Sequence, residues 1–254
     1  MDFTEAQVLI TGGSDGIGRG LAKRLLSSGS RVLVTGRSQS KLEKAAMELP
    51  GLEIFLNDIG DPAGRELLAE HIKRVMRGLN ILINNAGIQR RVALADDHAP
   101  WAERQNEINV LFSGPVHLNH LLIPLLLTNK RNCKIINVTS GGAFIPQTFA
   151  PVYSACKAAL HSYTVSLRDA LANTHCQVIE IIPPAVQTSL AGTGQNHGMP
   201  LDEFCDSIFE KLQTGKQEEI GFGPTENLIP ELSGQLVKDL FSKSNSRFHI
   251  NRYT

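Results

Sequence analysis

Tyr153 and Lys157 stand four residues apart in a segment whose apolar residues, Ala158, Leu160, Val165, Leu167 and Leu171, suit a helix. Both side chains therefore leave one helix face and can act on one ligand. A phenol, with a reference pKa near ~10, is a poor acid–base group at neutral pH. A nearby ammonium favours the phenolate and brings that pKa closer to the working range. The pair can deliver a proton to a carbonyl oxygen. Upstream, Thr139 and Ser140 close an apolar run at 134–138 (KIINV), and either hydroxyl could donate to an oxygen that gains negative charge. The G-x-S-x-G elbow is missing around Ser140, which argues against a Ser-His-Asp hydrolase.

A second constellation lies near the N-terminus. Residues 7–11 (QVLIT) form a short β-branched run, followed by TGGSDGIG at 11–18 and a helical pattern in Ile17, Leu21, Leu25 and Leu26. The order is strand, tight turn, helix. Gly12, Gly16 and Gly18 let backbone approach a pyrophosphate closely at a helix N-terminus, so Ser14, Asp15 and Ile17 between them join a candidate dinucleotide site. The next strand, 31–35 (RVLVT), ends in Gly36-Arg37-Ser38. An acidic residue near this strand's end would bond a ribose 2′-hydroxyl and signal NAD, whereas an arginine accommodates the 2′-phosphate of NADP. Arg37 supplies a planar cation suited to phosphate and Ser38 adds a hydroxyl, so the expected cofactor is NADP(H), with NAD(H) the alternative.

These residues need a scaffold that brings strand ends together. Further strands are predicted at 52–56, 80–83, 177–182 and 219–222, with helical patterns between them, notably at 101–127 and 201–212. Seven strands alternating with helices predict a Rossmann-type doubly wound parallel α/β sheet flanked by helices on both faces, as one domain over 1–254. The 42% hydrophobic content is enough for one large core. Twenty-five basic and 25 acidic residues cancel, which gives no electrostatic case for nucleic acid or an anionic membrane. Four cysteines at least 20 residues apart form no CxxC, and the histidines form no His-x3-His or HExxH pattern, so neither metal nor disulfide is expected. Residues 1–5 lack the regions of a signal peptide, and the longest apolar run, 121–127, is far short of the ~20 residues of a membrane span. A soluble cytoplasmic protein is expected.

TGGSDGIG at 11–18, NNAG at 84–87, Ser140 thirteen residues before Tyr153, and Tyr153-x-x-x-Lys157 occur in order. With these marks the chain resembles the short-chain dehydrogenases/reductases from about residue 6 to about 190. The resemblance implies hydride transfer between a nicotinamide and a carbonyl or alcohol, with Tyr153 as proton donor and Lys157 lowering its pKa and binding the nicotinamide ribose. It selects Ser140 over Thr139 as the group on the substrate oxygen. It gives Asn109 a proton relay through a water on its backbone, and Asp58 and the Ile59 backbone the adenine. Asn84, Asn85, Ala86 and Gly87 would line the ribose pocket. Pro183, Val186 and Thr188 would hold the nicotinamide end, although Pro184 stands where relatives most often have Gly. Many NADP-using relatives carry Arg or Lys in place of Asp15, whose charge would repel a 2′-phosphate unless Arg37 neutralises it. Residues 189–215 would form a substrate lid, with Leu190, His197 and Met199 as possible contacts. Phe144, Phe149 and the region around Ile88 suggest a partly apolar substrate pocket. Pairing through 101–127 and 152–172 would give a homodimer or homotetramer, and 241–254 reads as a flexible tail. The expected activity is reduction of a small-molecule carbonyl by NADPH. The alternatives are an NAD-dependent alcohol dehydrogenase or an inactive dinucleotide-binding sensor.

Overall fold

The computed structural model describes residues 3–129, 132–191, 198–232, 234–236 and 239; His197 and the segment 241–254 lie outside these. Seven parallel strands form one sheet in the order β3-β2-β1-β4-β5-β6-β7. They are β1 (Gln7–Ile10), β2 (Arg31–Gly36), β3 (Glu53–Leu56), β4 (Ile81–Asn84), β5 (Cys133–Val138), β6 (Cys176–Ile182) and β7 (Glu219–Gly221). Each lies within a residue or two of its predicted position. Parallel strands buried on both faces read as continuous apolar runs, as β4 and β5 do.

Helices cover both faces. On one side α1 (Gly16–Ser27), α2 (Gln39–Glu48) and α7 (Leu201–Thr214) bury Leu21, Leu25, Leu42, Phe204 and Ile208 against Val8, Ile10, Ile136 and Ile179. On the other, α3 (Pro62–Val75), α5 (Gly114–Thr128) and α6 (Pro151–Ala170) bury Leu68, Ile72, Leu118, Leu122 and Leu167 against Leu9, Leu82, Ile135 and Val178. Each such side chain contributes roughly 1.5–3 kcal/mol of burial, so the helix positions are strongly specified. A last helix, α8 (Pro224–Leu232), packs on β7.

Helix starts follow local chemistry. Asp61 caps α3, its carboxylate accepting from Ala63 and Gly64 N–H at 3.2 and 3.1 Å, with Pro62 in the first turn. Ser38 caps α2, and Gly215 ends α7 at φ +66, the left-handed conformation that favours glycine.

The helical pattern at 101–127 resolves into α4 (Trp101–Ile108), a π-turn at Asn109–Ser113, and α5. Gly114 N–H donates to the Asn109 carbonyl five residues back, and Pro115 has no N–H with which to restore the α-helical register. The helical stretch 101–128 has the length its periodicity predicted, although its longest unbroken apolar run is only 121–127. By length and composition it could cross a membrane, and half of its most apolar window is buried inside the fold.

Candidate active site

The residues singled out for chemistry sit where β1 to β6 end, apart from Asn109 in the turn after α4, and α6 supplies the central line. Tyr153, Lys157, His161, Thr164 and Arg168 share its inner face, and the last four each bond to the sheet. Lys157 Nζ donates to Val138 O at 2.6 Å, and His161 Nδ1 lies 2.9 Å from Glu180 Oε2. Thr164 Oγ1 accepts from Asn137 Nδ2 at 2.9 Å, and Arg168 Nε donates to Val178 O at 3.2 Å. Pro151 in the first turn fixes where α6 begins.

Tyr153 and Ser140 are both buried, and the Ser140 hydroxyl lies near enough to the phenol to act on its protonation. The Ser140 hydroxyl also accepts from Gly142 N–H at 3.0 Å, which fixes its rotamer at the start of a short 3-10 turn. Thr139, the competing hydroxyl, points away, as successive residues of an extended chain do, and donates to Glu180 Oε1 at 2.6 Å.

Burial holds the Tyr153 phenol above its ordinary pKa, and the Ser140 hydrogen bond opposes this in part. The Lys157 ammonium lies 5.8 Å from the centre of the phenol ring and is committed to the Val138 carbonyl. Burial therefore outweighs the lysine's expected lowering of the tyrosine pKa. Lys157 is itself pushed down to about 8 by burial, with Cys156 and Glu180 acting against the fall. Asn109 opens the π-turn, its side chain accepting from Gln105 Nε2 at 3.0 Å while its carbonyl takes the Gly114 N–H.

The glycine turn fits a dinucleotide. Gly12 adopts φ +66, and a Cβ there would lie 2.7 Å from Ala86 Cα; one at Gly18 would lie 2.5 Å from Gly12 O. Backbone thus packs on backbone over the start of α1, where N–H groups favour an anion. Asn85 locks the turn by donating from Nδ2 to Thr11 O and Gly12 O at 3.0 and 2.9 Å. Thr11 Oγ1 accepts from the N–H groups of Asn85 and Ala86 at 3.0 and 3.1 Å, a role not foreseen. Asn84, inside β4, donates to Asn119 and Asn137 at 2.8 Å each, joining β4, α5 and β5. Gly87 follows, exposed.

Asp15 accepts from Gly16 N–H at 2.8 Å and from the Ser189 hydroxyl at 2.8 Å, and pairs with Lys41 at 3.3 Å. Burial would raise its pKa, but those three partners together hold it below the ordinary carboxylate value. The cation beside Asp15 is thus Lys41, one turn into α2, and not Arg37. Arg37 is exposed at the end of β2. Ser38 accepts from Lys41 N–H at 3.4 Å, and a Cβ at Gly36 would lie 3.1 Å from Ser14 Oγ, so Ser14, Arg37, Ser38 and Lys41 gather at one corner.

Asp58 is exposed after β3 and accepts from Gly60 N–H at 2.8 Å in a turn, with Ile59 buried beside it. The Pro183 carbonyl accepts from Gly141 N–H at 2.9 Å, tying the ends of β5 and β6. Val186 bridges Met199, and Thr188 lies close to Gly16 at the start of α1. Met199, within the segment 189–215, is tied to the turn before it, its N–H donating to Ala185 O at 2.8 Å and Gln187 N–H to Met199 O at 3.0 Å. Arg24 of α1 anchors α7 through Asp206 at 2.7 Å and Asp202 at 3.1 Å.

The two aromatics expected near substrate part company. Phe144 packs edge-on against His161 at 4.5 Å, while Phe149 lies under Arg91 and lines an open groove of about 930 Å³ with Leu94, Gln147, Ser154 and Ala158. Ser154 and Ala158 each follow Tyr153 and Lys157 by one residue on α6, so this groove runs along the flank of α6 next to the tyrosine–lysine line.

The sequence profile of the short chain dehydrogenases matches residues 6–197. An uncharacterised oxidoreductase, DltE, of Bacillus subtilis (strain 168) is 40% identical over 224 residues, covering 86% of this chain and 88% of the relative. Serine 3-dehydrogenase of Agrobacterium fabrum is 26% identical and covers 96% of this chain and 90% of its own. A short chain dehydrogenase of Burkholderia cenocepacia J2315, solved in complex with NADP, superposes with a TM-score of 0.79 at 26% identity, over 96% of this chain and 98% of that one. With the matched profile and the seven-stranded parallel sheet, the chain belongs to the short chain dehydrogenase family of NAD(P)-dependent oxidoreductases.

Proposed function

We propose that the chain reduces a ketone or aldehyde carbonyl of a small molecule to the alcohol, using NADPH, with Tyr153 as proton donor. The observation that carries this reading is the burial of Tyr153 next to Ser140, with the Lys157 ammonium 5.8 Å from the centre of the phenol ring. A nicotinamide held there would supply the hydride that the carbonyl carbon accepts. Tyr153 gives its proton to the carbonyl oxygen, and Ser140 donates a hydrogen bond that strengthens as negative charge develops there. Lys157 would leave the Val138 carbonyl to hold the nicotinamide ribose and to ease reprotonation of Tyr153, with a water on the Asn109 backbone passing that proton onward. Reoxidation of the alcohol uses the same groups in reverse.

NADPH is favoured by the corner at the end of β2. It holds Arg37, Ser38 and Lys41, and no acid follows the strand. The Lys41–Asp15 pair is exposed and worth little, about 0–1 kcal/mol, so a 2′-phosphate can draw Lys41 away. The Burkholderia relative in complex with NADP points the same way. A second reading, an NAD-linked dehydrogenase, is favoured by Asp15; a 3-ketoacyl-(acyl-carrier-protein) reductase of Brucella melitensis, 25% identical, was solved with NADH. Asp58 and Ile59 would take the adenine, Asn85, Ala86 and Gly87 the ribose, and Pro183, Val186 and Thr188 the carboxamide. We read 1–254 as one cytoplasmic domain with a lid at 189–215, pairing with copies of itself through the adjoining helices α4–α5 and α6.

Titration with NADPH and NADH, followed by nicotinamide fluorescence, tests the cofactor assignment. Tenfold or tighter binding of NADPH, about 1.4 kcal/mol, is expected, with most of that margin lost in Arg37→Ala. Tighter binding of NADH would favour the second reading, and equal losses for both cofactors would make Arg37 part of the scaffold.

A further inference from the structure

Glu180 is fully buried in β6, among Val178, Ile179, Ile181 and Ile182. An apolar residue would fill that position at no electrostatic cost, whereas a buried carboxylate costs several kcal/mol unless it is paired and hydrogen-bonded. Here it is both. Thr139 Oγ1 donates to one carboxylate oxygen at 2.6 Å, and His161 Nδ1 lies 2.9 Å from the other. Thr139 precedes Ser140, and His161 stands one helical turn beyond Lys157 on the same face of α6. The pair is thus built into the two elements that carry the tyrosine, the serine and the lysine.

We propose that Glu180 and His161 are positioning residues for the reaction: the Glu180 carboxylate supplies the buried negative charge that keeps Lys157 protonated, and the proton on His161 sets how much of that charge Lys157 feels. This rests on the reading of Lys157 as the lysine that serves Tyr153. The charges bearing on His161 are Glu180 on β6, Glu219 on β7, and Arg168 further along α6. Glu219 is the register partner of Glu180 and is itself paired with Arg168 at 3.6 Å. Those bearing on Lys157 are Glu180 and the neighbouring Cys156. Burial lowers the His161 pKa, but the Glu180 hydrogen bond and the Glu180 and Glu219 charges outweigh it, so the imidazolium persists above its ordinary range. While His161 is protonated the pair is neutral; once it loses its proton the carboxylate is uncompensated. Lys157 is then held protonated more firmly as pH rises, which extends the range over which Tyr153 can be resupplied.

The test reads Lys157 directly, without substrate. Protein labelled with ¹³C at lysine Cε is titrated by NMR, the Lys157 resonance being assigned by its loss in Lys157→Met. In Glu180→Gln the Lys157 pKa is expected to fall by about one unit or more from the wild type. In His161→Asn, which retains a donor at the place of Nδ1 but carries no charge, it should equal or exceed the wild type. NADPH binding and thermal unfolding verify that each variant is folded. The alkaline limb of NADPH-dependent reduction of phenanthrenequinone should move to lower pH by the same interval in Glu180→Gln. A Lys157 pKa unchanged within about 0.3 unit in folded Glu180→Gln would overturn the proposal, as would a fall in His161→Asn equal to that in Glu180→Gln, or a stationary alkaline limb. Tyr153→Phe decides the reading of the site separately, because the titration of Lys157 does not depend on turnover.

Discussion

Lys157 is 4% exposed and its ammonium donates to the Val138 carbonyl, so the folded chain bears an electrostatic cost at this residue. Its folded pKa of about 8 lies below the ordinary lysine value of 10.5. The folded state therefore binds fewer protons between those two values, and the cost is relieved as pH rises through that window. At pH 7 both states are protonated and the full cost remains, on the order of 1.4 kcal/mol per pKa unit. Lys157→Met is accordingly expected to raise the unfolding midpoint at pH 7 while abolishing measurable turnover. The gain in stability should shrink toward pH 10, as thermal denaturation across that range would show. At this scale the sequence made Tyr153, Lys157 and Ser140 legible because a short spacing carries their chemistry. It hid the Lys41–Asp15 and His161–Glu180 pairs, whose members lie 26 and 19 residues apart and meet only when strands and helices stack. A signal for Glu180 was present, an acidic residue inside the otherwise apolar run 178–182.

Two elements carry the site's geometry. In the glycine turn, φ +66 at Gly12 and the approach of Ala86 leave no room for a side chain. Gly12→Ala meets both the left-handed strain, roughly 1–2 kcal/mol, and a backbone contact that must open. A loss of NADPH affinity of about tenfold or more is expected by fluorescence titration, together with a lower unfolding midpoint; unchanged affinity would remove the turn from the cofactor site. This turn was legible, since glycine spacing reports backbone requirements directly. The π-turn at Asn109–Ser113 was not, because apolar periodicity over 101–127 does not resolve one inserted residue. Gly114-Pro115 was its only local sign.

For the whole molecule, the alternation of apolar runs with helical patterns located the seven strands, but their order in the sheet was not read from it. The order β3-β2-β1-β4-β5-β6-β7 reverses direction between β1 and β4, and the glycine turn and the NNAG segment stand at that crevice, where doubly wound sheets bind ligands. Ser140 and the α6 line reach it from β5, and the turn after β6 closes it from the other side. The measurement that tests the central claim most directly compares wild type with Tyr153→Phe for NADPH oxidation driven by phenanthrenequinone and a panel of aldehydes and ketones. The variant should bind NADPH as the wild type does and lose at least about 10²-fold in turnover, the scale of a general acid. Equal turnover in the two proteins would contradict the assignment of Tyr153 as proton donor.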